Sequence, residues 1–196
     1  DQDYDTIFNK DDYNVQGYTM VKNRVDYLFT AAAQNQLLDS VILKSADMTI
    51  RVQSTFEYTG TLTVTFPELK KDGQSYQKVI DIDDNTGNYN LSHSFSDVSD
   101  YKLDFSNFTE PNTFFITYEL ALDPASGDGT VDDNATCDVD VDIRNIKYEW
   151  VWGFIGTQVL DIPMRTIGID LFSDFSMGEF ELTNPRLKIN VLNSFG

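Results

Sequence analysis

The chain has 196 residues, 32 acidic and 14 basic, for a net charge of −18. That charge excludes nucleic-acid binding through a cationic surface and disfavours docking on anionic lipid; divalent cations and basic proteins stay allowed. An apolar share of 41% supports a packed core, a charged share of 23% excludes a disordered acidic tail, and the length fits one domain or two small ones.

Residues 1–17 are polar and rich in Asp and Tyr, and read as an exposed lead-in. The start, Asp1-Gln2-Asp3, lacks methionine and reads as a mature or trimmed terminus. Over 20–38, Val21, Val25, Leu28, Phe29 and Ala32 fall on one helical face, and Ala31 to Ala33 favour helix. The spacing predicts one N-terminal helix there, either a core element or a docking element that folds on binding.

From about residue 40 the period changes to two. Met48, Ile50 and Val52 alternate with polar residues, as do Leu62, Val64 and Phe66, then Ile116, Tyr118 and Leu120, then Ile167, Ile169 and Leu171. Each set reads as a half-buried strand. Turn residues at Lys70-Lys71-Asp72-Gly73, over 83–88 and over 123–129 separate them, the first as a hairpin end. The expected fold is mainly β, an antiparallel β-sandwich or barrel-like fold with one N-terminal helix. No run of 18 apolar residues occurs, so no membrane helix is expected in these residues.

Residues 41–56 and 180–195 echo each other. Val41, Leu43, Met48, Ile50, Val52 and Phe56 align without a gap with Phe180, Leu182, Leu187, Ile189, Val191 and Phe195. Shared alternation explains part of the match; duplication of a β unit explains all of it. Ser45-Ala46-Asp47 and Asn184-Pro185-Arg186 read as turn-like joints within the two copies. The organisation expected is a lead-in and helix over 1–38, a first β unit over 39–176, and the start of a second, incomplete unit over 177–196. On that reading the natural chain continues past Gly196.

Chemistry is sparse. One cysteine excludes an internal disulfide, and one histidine excludes the common zinc sites. His93 reads as an ordinary strand or loop residue. Cys137, Val139, Val141 and Ile143 alternate with Asp138, Asp140 and Asp142, so the thiol reads as buried and the aspartates as a solvated stripe. The apolar set restarts out of phase at Ile146, Tyr148, Trp150 and Trp152, which predicts a β-bulge or break at Arg144-Asn145. Trp150 and Trp152 share a face. Exposed side by side, with Tyr148 nearby, they make a sugar-stacking platform; buried, they are core. No cofactor is called for. Calcium is the one metal the acidic loops could take, at Asp81, Asp83, Asp84 and Asn85, with a looser cluster at Asp123, Asp128, Asp132 and Asp133.

The ending Leu182-Thr183-Asn184-Pro185 to Gly196, with the acidic, Tyr- and Asn-rich composition, resembles duplicated all-β envelope proteins of the Bacteroidota. Asp5-Thr6-Ile7 and Asp39-Ser40-Val41 are similar to the O-glycosylation pattern of that phylum. The resemblance implies an exported protein of the periplasm or cell surface, lipid-anchored in many relatives, some of which accompany outer-membrane complexes such as the secretion translocon. The leading expectation is a non-catalytic envelope protein, a β-rich scaffold or interaction subunit with a protein partner. The alternative is a carbohydrate-binding surface module using Trp150, Trp152 and Tyr148. A hydrolase with paired carboxylates and a lipid-carrying tunnel between sheets are further readings.

Overall fold

The structure is a computed structural model and describes residues 4–28, 37–106 and 112–154. All of these belong to the first of two units into which the chain divides, residues 1–157; the second, 158–196, lies outside the described residues. Strands β1 (Asp5–Asn9), β2 (Thr19–Leu28), β3 (Leu37–Ser54), β4 (Gly60–Lys71), β5 (Gln74–Ile82), β6 (Tyr89–Phe95), β7 (Lys102–Asp104), β8 (Thr113–Leu122) and β9 (Thr136–Phe154) are joined by one short helix, α1 (Lys10–Gln16), between β1 and β2.

Every strand pairing is antiparallel. β1, β9, β3 and β6 form one half, and β5, β4, β8 and β2 form the other. β7 hydrogen-bonds to both β3 and β4 and hinges the two. Folded on that hinge, the halves bury their facing sides in one core, where Ile50, Val52, Val64, Phe66, Ile116 and Tyr118 are each 0–1% exposed. Burying an apolar side chain of this size contributes about 1.5–3 kcal/mol. The order β1-β9-β3-β6 against β2-β8-β4-β5 is that of a jelly roll, with β7 added at the corner. The chain is therefore mainly β and antiparallel, as its alternation predicts. Asp72 and Gly73, at φ 53° and 79°, make the tight left-handed turn expected between β4 and β5.

The helix expected over 20–38 is not there. Residues 19–28 form β2, and residues 29–36 lie outside the described residues. β2 pairs with β8 from Thr19 opposite Ala121 to Leu28 opposite Thr113, and Met20 is fully buried. Local helix preference is weak, and the backbone of β8 gains a full ladder by taking this segment as a strand.

The helix lies instead in the supposed lead-in. Asn9 caps α1 by accepting from the Asp11 and Asp12 N–H groups, the Asn9 N–H donates to the Asp12 carboxylate in return, and Gly17 at φ 74° ends it. Ile7 and Phe8 of β1 are buried, so this segment is part of the sandwich rather than an exposed lead-in.

Residues 41–54 belong to one long strand, so the joint expected at 45–47 is not a turn. Register shifts at Leu43/Ser45 and Ser45/Asp47 mark it as a pair of irregularities in the ladder. Met48, Ile50 and Val52 face the core as predicted. The bulge predicted at Arg144-Asn145 is present: the four residues of β9 from Arg144 to Lys147 lie opposite the three of β3 from Asp47 to Ser45, and Asn145 adopts φ 52°. The matching copy over 180–195, the Ile167–Leu171 set and the unit boundary near 177 lie outside the described residues.

Candidate functional site

β9 is 19 residues long and β3 is 18, and their far ends form a ribbon reinforced by β7. Register decides which side chains share its faces. Val41 lies opposite both Leu103 of β7 and Val151 of β9; Val41 and Leu103 are buried, so this row points inward. The rows on either side point outward. One holds Asp104, Ser40 and Trp152; the other holds Lys102, Ile42 and Trp150.

Trp150 and Trp152 are 61% and 44% exposed, so the core reading of these two rings is excluded. Their centroids are 6.2 Å apart with planes 26° from parallel. Ser40, between Trp152 and Asp104 in its row, is only 7% exposed although it faces outward, so its neighbours cover it. At the ribbon tip Leu37, Val151 and Phe154 are also exposed.

Tyr148 does not join the platform. The register shift between Ile42 and Leu43 makes Glu149 an extra residue, which turns Tyr148 to the side of Leu43, where it packs against the core. Burial pushes its phenol upward.

A polar group flanks the rings. Ser106 donates to Asp104 Oδ1 through its hydroxyl at 2.5 Å and its N–H at 3.0 Å, and these bonds, with Lys102, hold the carboxyl below its usual value. Lys102 Nζ is 3.6 Å from Asp104 Oδ2. Glu68, on β4, stands one residue before Leu69, which pairs with Leu103. Continuing that register sets Glu68 beside Asp104. Glu68 is 8% exposed, and its Oε2 has no hydrogen-bond partner among the described residues.

Desolvation raises the Glu68 pKa, a hydrogen bond from the residue's own backbone and the charge of Lys70 oppose the rise, and Asp104 adds a little to it. The folded carboxyl keeps its proton to higher pH than the unfolded one. The penalty for the charge is therefore absent below the unfolded value of 4.5, grows as pH rises towards the folded value and is complete above it. Glu68→Gln should stabilise the protein at pH 7 by about 1 kcal/mol relative to the parent. That gain should vanish at pH 4, and denaturant melts at the two pH values check it; an equal gain at both contradicts the assignment.

The other sequence candidates do not converge. Cys137 is fully buried, and burial pushes its thiol far up. His93 faces Tyr89, whose hydroxyl donates to the Asp81 carbonyl at 2.9 Å; the 3.0 Å contact to His93 Nε2 then has the ring as donor. Asp84 accepts from the Thr86 N–H in a local turn, and Asn85 donates to the Ser126 carbonyl. Among the described residues no group of three Asp, Glu, His or Cys side chains is placed to hold a metal ion. The aspartate stripe is braced rather than merely solvated: Arg51 sits between Asp140 and Asp142, and Arg144 closes on Asp142 at 2.6 Å. The core cavity by Leu43, Met48, Phe66 and Phe114 measures about 20 Å³, room for one water and not a lipid tunnel. No helix among the described residues is long and apolar enough to cross a membrane.

No protein-family model matches the chain, and no curated protein matches it. A structural likeness was found to the empty capsid of Triatoma virus, at 15% identity and a TM-score of 0.29. It covers 66% of this chain and 59% of that one, so this chain spans less than two thirds of the capsid chain. A likeness that low bears on neither the fold nor the function argued above.

Proposed function

We propose that this chain is a non-catalytic carbohydrate-binding module, in the envelope setting that the sequence resemblance implies. One observation carries the reading: Trp150 and Trp152 stand exposed and nearly parallel on the outer sheet face, beside Ser40, Lys102 and Asp104. The C–H face of a pyranose is apolar and slightly positive, which suits the negative face of an indole. Hydroxyls at the sugar's edge need donors and acceptors close by, and the β7 side chains supply both. The two rings are exposed rather than sunk in a pocket, which suits holding a polymer.

A second reading, the interaction subunit of an envelope complex, is favoured by Leu37, Val151 and Phe154. They leave the ribbon tip apolar on both faces, and Trp is the residue type most enriched where proteins dock.

Affinity electrophoresis through gels containing neutral polysaccharides separates the two. The parent should be retarded, and the double variant Trp150→Ala/Trp152→Ala should run freely. Each ring lost removes about 1.5 kcal/mol, or about tenfold in affinity. Because both side chains are exposed, the variant should melt within about 0.5 kcal/mol of the parent. A parent that no neutral polymer retards would sink the carbohydrate reading and leave the docking one.

A further inference from the structure

The polar groups beside the rings lie in register across four strands. Trp152, Ser40 and Asp104 form one row, to which the β4–β7 register adds Glu68. Trp150, Ile42, Lys102 and Lys70 form the next. Adjacent strands are about 4.8 Å apart, so each row runs about 14 Å along the sheet from ring to β4, turning with the corner at β7. That is the reach of a short oligosaccharide rather than of a single sugar.

Glu68 gives the row its chemistry. It is more than nine-tenths buried, and one carboxylate oxygen has no partner among the described residues. A buried carboxylate oxygen left without a donor is costly, and directly opposed cross-strand side chains lie about 5 Å apart. A hydroxyl or ammonium group seated at Asp104 is therefore within reach of Glu68. The net charge of −18 sets the other limit: uronate or sulfated chains are repelled.

Resting on the carbohydrate reading, we propose that the ligand is a neutral or amino-sugar oligosaccharide that lies across the strands. It stacks on Trp150 and Trp152 at one end and donates hydrogen bonds to Asp104 and Glu68 at the other. Desolvation of the Glu68 charge in the free protein agrees with a donor arriving from outside.

Titration calorimetry with cellohexaose, the hexamer of glucosamine and polygalacturonate tests this. At least one hexamer should bind, and polygalacturonate should not. Glu68→Gln and Asp104→Ala should each weaken the bound hexamer about tenfold or more, as loss of a hydrogen bond to a charged group does. Glu68→Gln should do so while raising the melting temperature at pH 7, a pairing that simple damage to the fold does not produce. If a hexamer binds and neither variant changes its affinity, the sugar sits on the rings alone; this proposal is then wrong while the carbohydrate reading stands. Equal binding of polygalacturonate also overturns it. If neither hexamer binds the parent, this proposal is wrong; the reading beneath it falls with it only where no neutral polysaccharide retards the parent in the gels.

Discussion

Phe8→Ala should cost about 3–4 kcal/mol of folding free energy, a large share of what a domain of this size holds. Phe8 is fully buried. It lies on β1, which adds to the outer edge of β9 by pairing Asn9 with Thr136 and Asp5 with Val139. Lys22 of β2 stands 5.9 Å from the ring centre, so the side chain sits where the two halves of the sandwich meet. Removing the ring leaves a cavity that the rigid ladders on both sides cannot collapse into. Urea titration checks the value. A loss below about 1 kcal/mol would show that β1 is an appendage, as its polar sequence suggests.

Gly153→Ala should strip the site of its shape. Gly153 adopts φ 139°, a conformation a residue with a Cβ rarely takes. An added Cβ would meet three neighbouring backbone atoms of β3: the Leu37 carbonyl oxygen, the Leu38 Cα at 2.7 Å and the Asp39 nitrogen at 2.9 Å. Backbone held in a ladder cannot swing aside as a flexible side chain would. Strain of this kind costs about 1–3 kcal/mol, before counting the clash. The expected outcome is local. The ribbon tip parts between Leu37–Asp39 and Trp152–Phe154, Trp152 leaves the Ser40–Asp104 row, and polysaccharide retardation falls at least as far as with Trp152→Ala. Hydrogen exchange should quicken over 150–154 and stay slow in β4 and β8. Unchanged retardation would show that the row is not the binding surface.

Several elements were legible because their signals are local. Alternation in β4 and β8 marks both strands and their inward faces, since a strand has only two sides. Asp72-Gly73 marks a tight turn because both positions need a left-handed backbone. The loss of phase at Arg144-Asn145 marks the bulge, because an extra residue is the simplest way to restore an apolar face. α1 was missed although its capping pair, Asn9 and Asp12, is plain in the sequence. None of its residues is buried, so it has no apolar period to read.

By itself, the sequence determined that this is an antiparallel β protein with an acidic surface, and that Trp150 and Trp152 share a face. Only the tertiary structure decided which face. Alternation divides a strand into two sides, but the covered side depends on what packs there, and the β5-β4-β8-β2 half covers only the inner one. The helical spacing over 20–28 yielded to a hydrogen-bond ladder with β8, a partner about ninety residues away that no local pattern records. The row from Trp152 to Glu68 is equally non-local. It depends on β7, three residues long and without a period of its own, lying between β3 and β4 and bringing distant polar side chains beside the rings.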